Sequence, residues 1–119
     1  MILNDIKAKL EEIDSNVFYG MVDNSVRETF WNYIVFNRVS LANNPNKTGF
    51  SEYFAVHIVR ENFIPEGLEI EVIDKMCDIA GMRLSAKDVS YTYVQKPNTD
   101  IVVEMASIEF LRPKKRDAA

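Results

Sequence analysis

The chain has 119 residues and a formal net charge of −4 at pH 7, with 47% hydrophobic and 27% charged residues. A chain of this length fits one domain that buries a core without disulfides or metal, and its composition is that of an ordinary globular protein. The negative charge argues against general affinity for nucleic acid, and no apolar run approaches the roughly 20 residues that span a bilayer.

The segment from residue 2 to about residue 14 has the spacing of an amphipathic helix. Ile6, Leu10 and Ile13 recur at steps of three and four, with charged residues off that stripe. The segment 17–22 predicts a short strand, and the polar residues 23–29 are interpreted as a loop. The N-terminus lacks a basic region followed by a long apolar run, so no signal peptide is predicted.

Two runs of β-branched and aromatic residues, 31–38 and 53–60, predict a long antiparallel hairpin. Phe54, Val56 and Ile58 share one face of the second run, and the residues between them share the other. Neither face is properly polar, so we expect one face to contact another subunit. The residues assigned to that contact are Trp31, Tyr33, Val35, Tyr53 and His57.

The connection between the two runs is rich in turn-forming residues. It is polar, and we interpret it as a projecting loop suited to docking on a neighbouring protein. The residues assigned to this docking loop are Asn43, Asn44, Asn46 and Lys47.

After Arg60 the pattern becomes that of a second helix. Pro65 presets a helical φ, an apolar stripe runs from residue 68 to residue 80, and Gly81 is placed to cap the C-terminus. Cys77 lies in this helix, and we expect a packed, unreactive thiol. A single cysteine cannot form an internal disulfide, which favours a reducing compartment. The acidic residues of the helix predict a solvated face rather than a metal or acid–base site.

A second hairpin closes the chain. Val89, Tyr91 and Tyr93 alternate with polar residues and predict a half-buried strand, and residues 96–100 predict a turn. In the last strand the apolar positions change parity, which predicts a β-bulge near Ala106 and Ser107. We expect a single domain over residues 1–112 and a flexible basic tail over residues 113–119. The basic residues in this region are Arg112, Lys114, Lys115 and Arg116.

The predicted order of elements is α-β-β-β-α-β-β. It indicates an α+β domain of two layers, in which an antiparallel sheet of four to five strands carries both helices on one face. His57 is the only histidine and Cys77 the only cysteine, so neither a metal cluster nor a nucleophile with its base is indicated. The glycines are isolated, and the strand aromatics are not interleaved with basic residues. The sequence therefore predicts a protein that is not an enzyme and has no cofactor.

Several segments carry a family resemblance: residues 17–20, 31–38, 56–67, and 96–100 with the strand that follows through residue 110. They resemble a group of small proteins of long-tailed phages and prophages of Gram-positive bacteria, labelled minor capsid, head–tail joining or tail-completion proteins. The order of elements is also similar to that of phage tail terminators, which assemble as a ring on the head-proximal end of the tail tube.

The resemblance implies a virion protein, present in the host cytoplasm during assembly, that caps the tail tube and docks to the head connector. The implied partners are further copies of the chain in a ring such as a hexamer, the major tail tube protein and the head connector, without membrane or specific nucleic acid. Another non-enzymatic phage or bacterial interaction module, such as a minor capsid or head-closure component, is the alternative. A small enzyme or nucleic-acid binder is less favoured.

Overall fold

The computed structural model describes residues 1–22, 31–43 and 49–115. Three residues of the predicted docking loop, Asn44, Asn46 and Lys47, lie outside these ranges, as does Arg116. The helices are α1 (Ile2–Glu11) and α2 (Leu68–Cys77). The strands are β1 (Val17–Tyr19), β2 (Tyr33–Asn43), β3 (Gly49–Glu61), β4 (Arg83–Leu84), β5 (Ser90–Gln95) and β6 (Val102–Lys115).

The six strands form one mixed sheet in the order β1-β2-β3-β6, and the outer side of β6 pairs with β5 and, further along, with β4. The predicted α+β class is confirmed, but the wholly antiparallel sheet of four to five strands is wrong. β1 runs parallel to β2, with Val17 opposite Ile34, and the short β4 was not foreseen. The connection from β1 to β2 is long enough for the crossover that a parallel pair needs.

The main core lies between the helices and one face of the sheet, which we call the helix face. α1 contributes Ile6 and Leu10, and α2 contributes Val72 and Met76, each pair one helical turn apart. They pack against alternate residues of the central strands: Ile34, Phe36, Phe54, Val56, Ile58, Ala106, Ile108 and Phe110. Full burial of an aliphatic or aromatic side chain contributes roughly 1.5 to 3 kcal/mol, so this face holds most of the apolar stabilisation.

The predicted bulge near Ala106 and Ser107 is wrong, because β3 and β6 pair in one unbroken register from Gly49–Lys115 to Glu61–Val103. The apolar positions change parity for another reason. Residues 106, 108 and 110 point to the helices, whereas Val103 belongs to a separate cluster on the other face. The bulge that does occur lies in β2, where the register shifts between Arg38 and Ser40.

Helix α2 ends at Cys77, earlier than the apolar stripe predicted. The N–H of Asp78 donates to the carbonyl of Lys75, which tightens the last turn. Gly81 has φ of +80°, the left-handed conformation expected of it, but it closes a turn beyond the helix. Cys77 is exposed, so the prediction of a packed thiol is wrong. It lies about 100° around the helix from the buried Met76, at the last position of α2.

The last two strands also differ from their predictions. Every residue of β5 is exposed, so this strand is not half-buried; the partly buried residue is Val89, which precedes it. β6 extends to Lys115, three residues beyond the predicted end of the domain at residue 112. Pro113 lies opposite Ser51 and Lys114 opposite Phe50, so this segment is part of the sheet and not of a tail.

Candidate interaction surface

The face of the sheet opposite the helices, which we call the opposite face, contains two different regions. At one end five residues are buried in a second apolar cluster: Val22, Tyr33, Val35, Val59 and Val103. Phe18, Trp31 and Met105 pack against it. The ring of Phe18 lies edge-on to that of Tyr33, with 6.0 Å between centroids, because the parallel register places Phe18 opposite Val35.

This cluster corrects one sequence argument. The chain covers Tyr33 and Val35 with its own side chains, so these two residues do not need another subunit to bury them. Trp31 is only partly buried, although its indole N–H is buried without a hydrogen-bond partner in the described part of the chain. Of the predicted contact residues, Trp31, Tyr53 and His57 keep accessible surface, and their role in a subunit contact stays a prediction.

In the centre of the opposite face, Asn37, His57 and Ser107 form a polar row across β2, β3 and β6. Nδ1 of His57 is 2.7 Å from Oγ of Ser107, and its Nε2 is 2.9 Å from Oδ1 of Asn37. Neutral imidazole with hydrogen on Nε2 fits both contacts: Nε2–H donates to the Asn37 carbonyl, and the Ser107 hydroxyl donates to Nδ1. All three side chains are partly exposed.

Burial lowers the pKa of His57, which favours this neutral form at pH 7. The row contains a serine and a histidine, but its geometry does not favour acyl transfer. Ser107 lies on a central strand, paired on one side with His57 and on the other with Ser90. Strands on both sides of Ser107 engage the backbone N–H groups that an oxyanion hole would need. The arrangement instead presents ordered polar groups on a flat surface.

The end of the sheet beyond the helices carries most of the predicted basic residues. We call this part, residues 39–43, 49–53 and 111–115, the distal ribbon. Nε of Arg112 is 3.1 Å from Oε1 of Glu52, and Nζ of Lys114 is 4.0 Å from Oε2 of the same residue. Glu52 is buried, and its carboxylate lies close to both basic side chains. The positive charge predicted for a free tail is therefore partly neutralised within the sheet. The backbone of Lys115 continues the strand.

The distal ribbon also exposes apolar surface. Val39 and Leu41 are 47% and 54% exposed, beside the bulge of β2. A cavity of about 240 Å³ lies between them, Arg38, Glu52 and Lys114. Asn43, the one described residue of the predicted docking loop, ends β2 at this tip and is exposed.

Two residues of the polar row were missed by the sequence analysis. Asn37 and Ser107 are isolated polar residues in apolar strands, and such residues give no periodic signal. The available clue was parity, since Asn37 occupies the same face as Tyr33 and Val35. Glu52 was missed as the partner of Arg112, because that pairing depends on the register of β3 with β6.

Comparison of the chain with protein-family models and with curated proteins gives no match. Within residues 1–22, 31–43 and 49–115, no three His, Cys, Asp or Glu side chains are grouped so as to hold a metal ion. No helix in those ranges is long and apolar enough to cross a membrane. The geometry is that of a surface mixing aromatic, aliphatic and hydrogen-bonding groups, the composition typical of protein interfaces.

Proposed function

We propose that the protein is a structural component of the phage head–tail junction, a tail terminator that assembles as a ring, caps the tail tube and docks to the head connector. The opposite face carries the proposal: both helices lie on the other side, so partly exposed Trp31, Tyr53 and His57 are free to meet another subunit. Aromatic residues of this kind are enriched at the centres of protein interfaces.

A closed ring requires two different patches on each subunit, because each contact is heterologous. The opposite face supplies the first patch. The exposed Val39 and Leu41 of the distal ribbon supply a candidate for the second. Leu41 lies on the helix face beyond the core, which separates it from the first patch, whereas Val39 lies at the bulge and borders the same cavity as Tyr53.

The shape of the molecule supports contacts to neighbouring rings. Its extents are 51 × 26 × 22 Å, and β6 alone, at roughly 3.3 Å a residue, is long enough to span most of the longest dimension. The ladder between β3 and β6 continues through the distal ribbon, and the ion pair between Arg112 and Glu52 joins the same two strands. The ribbon therefore presents a defined surface to the tube protein or the head connector.

The test is the assembly state, measured by sedimentation velocity over a wide range of concentration. We expect the wild-type chain to form a species of ring size as concentration rises. Tyr53→Lys places a charge on the opposite face and should weaken assembly while leaving the circular dichroism spectrum unchanged. Asn4→Lys, which adds the same charge to an exposed site on α1, is the matched control and should assemble normally.

The alternative is a non-enzymatic interaction module, such as a minor capsid or head-closure component, that does not form a ring. A chain that is monomeric at every concentration would contradict ring formation in the absence of other proteins and would favour this alternative. Equal assembly of wild type and Tyr53→Lys would instead show that the opposite face does not form the contact between subunits.

A further inference from the structure

Strand β5 has an open edge. It pairs with β6 along its whole length, and no strand of the described residues pairs with its other side. Its sequence, Ser-Tyr-Thr-Tyr-Val-Gln, contains no charge, proline or glycine. Natural sheets protect exposed edges with charged residues, proline, bulges or covering loops, because an open edge is a template for another strand. β5 has none of the protections that sequence or register can supply.

The direction of the backbone groups on β5 follows from its hairpin with β6. The N–H of Lys96 donates to the carbonyl of Ile101 over 2.8 Å, which makes this a hydrogen-bonded pair. Antiparallel pairs alternate, so Ser90, Thr92 and Val94 also direct their backbone groups to β6. The N–H and C=O groups of the remaining residues therefore point outward: Tyr91, Tyr93 and Gln95.

The side chains beside this edge are aromatic and acidic. The hydroxyl of Tyr91 donates to Oε2 of Glu69 over 2.6 Å, and that of Tyr93 donates to Oε2 of Glu104 over 2.8 Å. These bonds raise the pKa of Tyr91 to about 12 and raise that of Tyr93, so both hydroxyls stay protonated near neutral pH. The two tyrosines are 44% and 61% exposed, and each carboxylate retains lone pairs for a cation.

The flanking surface extends this character. Glu66 is exposed just before α2. Phe63 is 67% exposed, next to Ile64, whose N–H donates to Oε1 of Glu104. Lys96, the basic residue that follows β5, is engaged by Glu61 at 2.9 Å. The edge therefore offers backbone hydrogen bonds, aromatic contact and negative charge together.

We infer that β5 is a docking edge for an extended segment of a partner protein, which adds to the sheet as a further strand and places lysine or arginine beside Glu69 and Glu104. Main-chain hydrogen bonds would supply affinity, and the charges would supply specificity. A second copy pairing through its own β5 would add a second acidic surface without supplying lysine or arginine to Glu69 and Glu104, so charge complementarity favours a basic segment. The inference does not depend on ring formation through the opposite face.

The test uses the full chain and a peptide of alternating lysine and valine that is as long as β5 and has blocked ends. Binding is followed through the amide resonances of the protein in NMR spectra. We expect the largest shifts and slowed hydrogen exchange at Tyr91, Tyr93 and Gln95. A glutamate–valine peptide should bind roughly two- to thirtyfold more weakly, the effect of two exposed ion pairs. Equal binding of both peptides, or no binding by the lysine peptide, would overturn the inference.

Two variants separate backbone pairing from side-chain contact. Tyr93→Pro removes an N–H that points away from β6, so it should abolish peptide binding without breaking the β5–β6 ladder. Tyr93→Val removes the ring but keeps the N–H and should retain most of the binding. Binding that survives in Tyr93→Pro would contradict strand addition.

A further control avoids mutation of the protein. N-methylation of alternate peptide amides removes the donors that would pair with β5, and the methylated peptide should lose binding to wild type. Retained binding would overturn the inference even if Tyr93→Pro does not fold. Concentration-dependent pairing of the wild-type chain that Tyr93→Pro abolishes would assign the edge to a second copy instead.

Discussion

The two faces of the sheet are built from the same three strands but bury their residues differently. On the helix face, Phe54, Val56 and Ile58 are completely buried in the cluster to which α1 and α2 contribute. On the opposite face, Tyr33 and Val59 are covered at one end, while His57 between them and the distal ribbon remains partly exposed. An apolar residue in a strand therefore indicates burial, but the element that covers it has to be found in the tertiary structure.

The two faces also contribute unequally to the stability of the domain. The helix face has a continuous apolar layer from two helices, whereas the cluster on the opposite face depends on a few side chains such as Phe18 and Val22. Truncations on the two faces should therefore differ in cost even when the chemical change is the same.

The largest difference between the two faces is expected from a matched pair of valine truncations. Val56→Ala removes two methyl groups from a fully buried site on the helix face and should lower the free energy of unfolding by about 2 to 3 kcal/mol. Val35→Ala makes the same change at a less enclosed site on the opposite face and should cost about 1 kcal/mol. Urea unfolding followed by fluorescence measures both; equal costs would remove the distinction between the faces.

The polar row should make stability depend on pH. Because burial lowers the pKa of folded His57 below its ordinary value of 6.5, the unfolded chain takes up the proton first. The free energy of unfolding should therefore fall as pH drops below about 6.5. Carboxylates with a lowered pKa act at lower pH; for example, the hydrogen bond from Lys96 lowers the pKa of Glu61 below 4.5.

This pH effect is measured by urea unfolding at about pH 7.5 and about pH 5.5. His57→Gln retains hydrogen-bonding groups but does not titrate, so its stability should change less between these conditions. A variant that loses as much stability as wild type would show that His57 does not control the dependence.

The smallest effect is expected at Cys77. Because this side chain is exposed, Cys77→Ala should change the free energy of unfolding by no more than about 0.5 kcal/mol. Met76→Ala, one residue earlier but fully buried on the helix face, is the control and should cost about 2 to 5 kcal/mol. Thermal and urea unfolding measure both variants; a cost above 1 kcal/mol for Cys77→Ala would place the thiol in a packed site.

The sequence was sufficient for features that depend on local periodicity. The alternation of Phe54, Val56 and Ile58 identified one face of β3, and the helical spacing of Val72 and Met76 identified the buried side of α2. Both patterns repeat within one element, so their faces follow once the element is recognised. The α+β class follows from the same elements.

Features that depend on pairing between distant segments could not be predicted. The parallel direction of β1, the bulge after Arg38 and the length of β6 are set by neighbouring strands. For the candidate surface, the sequence pointed to His57 but not to Asn37 and Ser107. Their hydrogen bonds exist only because three strands place them side by side.

The pairing of β3 with β6 has a consequence for the order in which the chain folds. This central ladder joins residues as distant in sequence as Gly49 and Lys115, with α2, β4 and β5 between them. Such non-local contacts form late and slow folding, because a long loop must close before they stabilise the chain. During synthesis, β3 therefore leaves the ribosome before β6. The backbone edge of β3 that pairs with β6 stays open until β6 emerges. Residues through Lys115 must therefore be synthesised before β6 can pair with all of β3 and shield it from aggregation.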